Sequence, residues 1–214
     1  IPPKTDFRYR KLLSHFLDQD SKFDSRVTLL TWNYDSQIIK TLKQLNLNVY
    51  CGIMDNPSDY TIPYFPLNGT GCVIRKGLKN HYFNCVGNEA FDLSSLANEL
   101  VFLFKDSTPS IKFAFEKSDN SGLLDAVKTQ ISGANKLIVI GYSFPSYNSF
   151  FDSQILKHLI KTCDSKLEIV FQNNNYSLDD FKLKFAQTIA PYVILNPVVD
   201  RCDKFHLPHE YYDQ

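Results

Sequence analysis

Charge in excess of either sign, paired cysteines and a long apolar run are all missing from this sequence. Lysine plus arginine equal aspartate plus glutamate at 23 each, so net charge supplies neither a nucleic-acid footprint nor an affinity for an anionic membrane surface. Any ligand must be held locally. The five cysteines, Cys51, Cys72, Cys85, Cys163 and Cys202, are scattered, odd in number and never two residues apart. That argues against both a four-cysteine zinc site and a disulfide framework, leaving reduced thiols in a cytoplasmic protein as the expectation. No window approaches the roughly 20 apolar residues of a membrane span, and no membrane partner is expected. Absent too are Gly-x-x-x-x-Gly-Lys-Ser/Thr, Gly-x-Ser-x-Gly and His-Glu-x-x-His, which argues against P-loop hydrolysis, an ordinary nucleophile elbow and a zincin protease.

What is present is a globular composition. Of 214 residues, 43% are apolar and 14% aromatic, enough to build a substantial core in one domain or at most two. The run 27–32 predicts a strand feeding a helix through Ile38, Ile39, Leu42 and Leu45. Further strands are predicted at Asn48–Cys51 and 63–67, a helix over 89–104, and a polar connection over 105–121. The second half alternates regularly: helix 123–131, strand 136–141, helix 150–160, strand 167–171, helix 178–189, strand 192–195. Such alternation predicts an α/β fold with a doubly wound, mostly parallel sheet covered by helices on both faces. Residues 1–26 read as a helical lead-in, 27–200 as the nucleotide-binding domain and 201–214 as a peripheral tail.

In open parallel sheets, ligands bind beyond the carboxyl ends of the strands. Four polar strand ends therefore carry the interest. Thr31-Trp32-Asn33-Tyr34-Asp35 ends one strand and opens a helix, where Asp35 could equally serve as a cap. Leu67-Asn68-Gly69-Thr70-Gly71 provides two glycines for a sharp turn or a close approach. Gly141-Tyr142-Ser143-Phe144-Pro145 follows the most hydrophobic strand, and a glycine with a neighbouring hydroxyl suits ribose or phosphate contact. Gln172-Asn173-Asn174-Asn175 offers amides for sugar hydroxyls. Each has a plainer structural use as a cap, a tight connection or a solvated turn. Cys202, His206 and His209 have zinc-binding side chains but lack a fourth ligand at suitable spacing, so no metal is expected.

In order and in position relative to the strands, the four places together resemble the sirtuin-like family. Thr31 to Asp35 is similar to that family's threonine-glutamine-asparagine-isoleucine-aspartate stretch, matching at Thr31, Asn33 and Asp35. Leu67-Asn68-Gly69 resembles its leucine-histidine-glycine. Gly141 to Pro145 is similar to the glycine-tyrosine-serine-phenylalanine-proline loop of bacterial members. The resemblance covers residues 27–195 and implies a Rossmann-like fold with NAD as substrate or ligand. It implies that Asn33 and Asp35 lie at the nicotinamide ribose and carboxamide, with Asn68 beside them. It also implies that Thr31, Gly69, Gly141, Tyr142, Ser143, Phe144, Gln172 and Asn173 complete the cofactor site. The implied chemistry is cleavage of the nicotinamide glycosidic bond, in bacterial relatives commonly as defence against phage. Protein deacylation is not expected, because no cysteine set could build the zinc module of the deacylases.

Two departures qualify that expectation. Asn68 replaces the family histidine, and an amide cannot take up a proton in a cell; loss of a general base typically costs about 10²- to 10⁴-fold. His81 reads as a solvated residue and not as a substitute. The family's first strand and its phosphate-binding glycine loop are not found in this chain, whose start at Ile1 reads as a cut end. The alternative is thus a module that senses NAD or ADP-ribose without cleaving it, acting as a homo-oligomer or through an effector segment outside this chain.

Overall fold

A computed structural model describes residues 6–20, 22–33, 37–45, 49–51, 62–68, 73–75, 82–83, 107–109, 121–173, 175–189, 192–198, 204–208 and 211. In chain order the elements are α1 (Phe7–Ser14), β1 (Leu29–Thr31), α2 (Gln37–Gln44), β2 (Val49–Cys51), β3 (Ile62–Pro66), β4 (Val73–Arg75), β5 (Tyr82–Phe83) and β6 (Ser107–Pro109). They continue with α3 (Ser121–Ile131), β7 (Lys136–Ile140), α4 (Ser149–Thr162), β8 (Leu167–Gln172), α5 (Asn175–Ile189) and β9 (Val193–Val198). A 3₁₀ turn, Ser146–Asn148, leads into α4.

The architecture is mixed α/β. Its parallel strands form two small sheets, ordered β1-β3-β2 and β7-β8-β9, and a third sheet, β5-β4-β6, is antiparallel. A single mostly parallel sheet was the expectation; among the described residues its strands fall into two groups of three. The antiparallel sheet was not anticipated. Its strand Ser107–Pro109 lies within 105–121, read from sequence as connection, because three residues without apolar alternation carry no strand signal. The helix expected over 89–104 lies outside the described residues.

Local chemistry explains the sheets. β8, Leu-Glu-Ile-Val-Phe-Gln, is central in its sheet and buried throughout except at Glu168, which meets Lys136 opposite it on β7 at 3.4 Å and accepts from Asn196 Nδ2 on β9 at 2.8 Å. β9 is an edge strand, alternates between half-buried and exposed, and tolerates Pro197 for that reason. β3 is central yet carries Pro63 and Pro66. Its neighbours are staggered, so Pro63 lies beside β2 alone and Pro66 beside β1 alone, with only Tyr64 flanked on both sides. Neither proline therefore interrupts a ladder on two sides.

Two cores result. The larger joins Phe65 and Leu67 from the end of β3 to the inner faces of α3, α4, α5, β7 and β8. On α4 the buried positions Phe151, Ile155, Leu156 and Leu159 form one helical stripe. The smaller core gathers Leu13, Phe16, Phe23 and Leu42 with Leu207 and Tyr211. The C-terminal stretch is therefore not peripheral, as its polar composition suggested. Leu207 and Tyr211 are buried, Phe205 packs edge-on to Tyr9 and beneath the Arg8 guanidinium, and Tyr211 Oη donates to Asp24 at 2.6 Å. A few well-spaced apolar side chains outweigh the polar residues around them. Among the described residues, no helix is long and apolar enough to cross a membrane.

Candidate functional site

The ends of β1, β3 and β7 meet. Thr31 closes β1 with its carbonyl accepting from Leu67 N at 2.8 Å, while its hydroxyl accepts from Asn33 N at 3.0 Å and curls the chain away from the sheet. Asn68, buried at the end of β3, donates through Nδ2 to the Trp32 carbonyl at 2.9 Å. Trp32 in turn stacks on Tyr142, centroids 5.5 Å apart and planes 19° apart, with Phe151 edge-on behind it at 5.9 Å. Tyr142 is delivered by Gly141, whose N–H bonds to the Gln172 carbonyl at 2.9 Å and whose φ of +66° suits glycine.

Behind Tyr142 lies a buried polar cluster. Its hydroxyl donates to Asp152, 3.1 Å from each carboxylate oxygen, and accepts from Asn148 Nδ2 at 2.8 Å. Asp152 lies in the first turn of α4 and is only 3% exposed. Burial pushes its carboxyl up to about 7, opposed by the Tyr142 hydroxyl and by the positive charge of Lys184. The same burial, with the Asp152 charge beside it, drives the Tyr142 phenol far above its ordinary range. Asn148 Oδ1 is buried and accepts no hydrogen bond. Asn148 precedes α4 but does not cap it with its side chain, so its amide is committed to the tyrosine.

The other residues singled out from sequence are placed differently. Asn33 and Ser143 are exposed just beyond the ends of β1 and β7. Phe144 turns its ring into the large core, 4.7 Å from Phe181, at the cost of a φ of +52°. Lys184 Nζ braces that corner by donating to the Phe144 and Pro145 carbonyls at 2.8 and 3.2 Å. Gln172 is engaged by the C-terminal segment: Nε2 donates to Lys204 O and Oε1 accepts from His206 N, both at 2.6 Å. Asn173 is half-buried next to it, and Asn175 opens α5 instead of continuing an amide-rich loop. Tyr34, Asp35, Gly69, His81, Cys202 and His209 lie outside the described residues. Among the described residues no group of three metal-ligating side chains occurs.

Sequence reasoning missed Asn148 and Asp152. A signal existed: Asp152 occupies the same helical stripe as Ile155, Leu156 and Leu159, where an apolar residue is expected. An acid in such a stripe is buried and must be paired or neutralised. Compared with protein-family models and with curated proteins, the chain matches none.

Chemically, the arrangement offers a two-ring aromatic surface, exposed polar groups around it, and a carboxyl able to hold or release a proton near neutrality. No glycine-rich phosphate cradle occurs among the described residues.

Proposed function

We propose that this chain binds an NAD-type dinucleotide at the ends of β1, β3 and β7, and that it belongs to the nicotinamide-cleaving branch of sirtuin-like domains, in a role such as defence against phage. The observation that carries the reading is the Trp32–Tyr142 stack, held between three strand ends at the position where parallel α/β sheets take their ligands. Asn33 would orient the ribose and a water, Asp35 the carboxamide, and Gly141 and Ser143 the adenosine half. The aromatic surface would shelter the oxocarbenium-like transition state. The test is calorimetric titration of NAD and of ADP-ribose, with nicotinamide release followed in parallel. Binding with release is expected; absence of both, also in the longest natural form, would remove the ligand reading.

The sensing alternative is favoured by a specific contact. Asn68 is buried and spends its amide on the Trp32 carbonyl, a bracing role that requires no proton transfer. Asn68→His separates the two readings. A gain in nicotinamide release toward the 10²- to 10⁴-fold range typical of a general base identifies a weakened hydrolase, and unchanged release with retained binding identifies a sensor.

A further inference from the structure

Hydrogen-bond bookkeeping in the cluster behind the crevice is one proton short. The Tyr142 hydroxyl has a single hydrogen for two Asp152 oxygens, each 3.1 Å away. Asn148 Oδ1, buried and closed off from solvent, has no donor at all. Native interiors rarely leave such an acceptor unmatched. One added proton balances the set. A neutral carboxyl carries an O–H that suits Asn148 Oδ1, and its other oxygen can accept from Nδ2–H, the complementary acid–amide pairing. Asp152 and Asn148 already meet at the same tyrosine hydroxyl, which makes them neighbours for such a pairing.

We propose that Tyr142, Asn148 and Asp152 form a proton-binding latch, in which uptake of one proton by Asp152 transfers the carboxyl from Tyr142 to Asn148 and thereby loosens the Trp32–Tyr142 stack at the crevice. In the ionised state the carboxylate holds the phenol by a charge-assisted bond, and the ring beneath Trp32 is fixed. In the protonated state the phenol loses its charged acceptor. Asp152 is a positioning residue that acts through Tyr142. The proton comes from solvent, and no covalent bond is made or broken elsewhere.

The groups facing the latch are few. Among the described residues Tyr142 reaches Asp152 from the end of β7, and Lys184 of α5 acts on it electrostatically; Tyr147 of the 3₁₀ turn acts on Tyr142. Lys184 favours the ionised form, but its ammonium is engaged by the Phe144 and Pro145 carbonyls. The latch goes beyond the ligand reading above and does not depend on it. If the crevice takes NAD, affinity inherits the same pH dependence.

Trp32 is the single tryptophan of the chain and lies directly on Tyr142, so its fluorescence reports the latch without any ligand. On the full chain, followed between about pH 5 and about pH 8, where histidine is the only unperturbed side chain that titrates, one emission transition with a midpoint near 7 is expected. Asp152→Asn and Tyr142→Phe should each abolish it while the circular dichroism stays that of the folded chain. Lys184→Gln, which can still donate to the two carbonyls, should shift the midpoint upward and serves as the independent variant if either of the others fails to fold. A wild-type emission that is flat across the range, a transition that persists in Asp152→Asn, or a midpoint unmoved in Lys184→Gln would overturn the latch.

Discussion

Asp24 and Asp152 each accept a hydrogen bond from a tyrosine hydroxyl, yet the two regions push them in opposite directions. Asp24 sits beside the small core, where the Arg26 guanidinium bonds it at 2.6 Å and Tyr211 Oη donates at 2.6 Å; the arginine pairing holds its carboxyl well below the usual range. Asp152 sits inside the large core with a tyrosine and an amide but no guanidinium, and burial lifts its carboxyl to about 7. The tyrosine contact is common to both, so it does not set the sign. A paired cation and access to water decide it: the Asp24 side chain is 18% exposed and Arg26 lies largely in solvent, whereas Asp152 has neither aid.

The comparison can be broken most severely on the tyrosine side. Tyr211→Ala removes a ring from the small core and leaves Asp24 without its buried donor, and a loss of about 3–5 kcal/mol in urea unfolding is expected. Next comes Asp152→Asn. Because the folded-state carboxyl is raised, its contribution to stability is fully present below the unfolded value of 3.8 and is lost as pH rises through about 7. The variant should remove that slope, and at pH 8 it should gain on the order of 2–4 kcal/mol over the wild type relative to their difference in acid. Asp24→Asn should do the reverse on a smaller scale. A depressed carboxyl stabilises above its unfolded value and loses that contribution as pH falls, so the variant should lose about 1 kcal/mol at neutral pH and converge with wild type in acid. Arg26→Gln should give the smallest change, shrinking further as salt is added, since the guanidinium is solvent-exposed.

Much of the second half was legible in the sequence. Its strands and helices are dictated by continuous apolar runs and by 3.6-residue stripes, and β7, α4, β8, α5 and β9 all fall within a few residues of where those patterns put them. Less legible were elements built from pairing alone, such as Ser107–Pro109, whose three residues become a strand only because β4 lies alongside. Chain order was enough to single out the stretches that hold Trp32, Asn68 and Tyr142, each of which follows a strand, although Trp32 itself was not among the site residues expected. It could not select Asn148 and Asp152, because their role arises from a tyrosine six to ten residues earlier folding back over the start of α4. Nor could it show that Phe144 would turn inward or that Gln172 would grip the backbone at Lys204 and His206. Both depend on which side of a loop faces the core, and composition is silent on that.

The bond from Tyr211 to Asp24 spans 187 residues of sequence, and this bears on how the chain is made. Leu13, Phe16, Phe23 and Leu42 emerge from the ribosome well before the residues that close their core, Leu207 and Tyr211. At about 5–20 residues per second, those early apolar side chains wait on the order of ten seconds or more with one side uncovered. During that interval the nascent chain presents a sticky face that the finished protein does not have, and chaperone demand should be concentrated there.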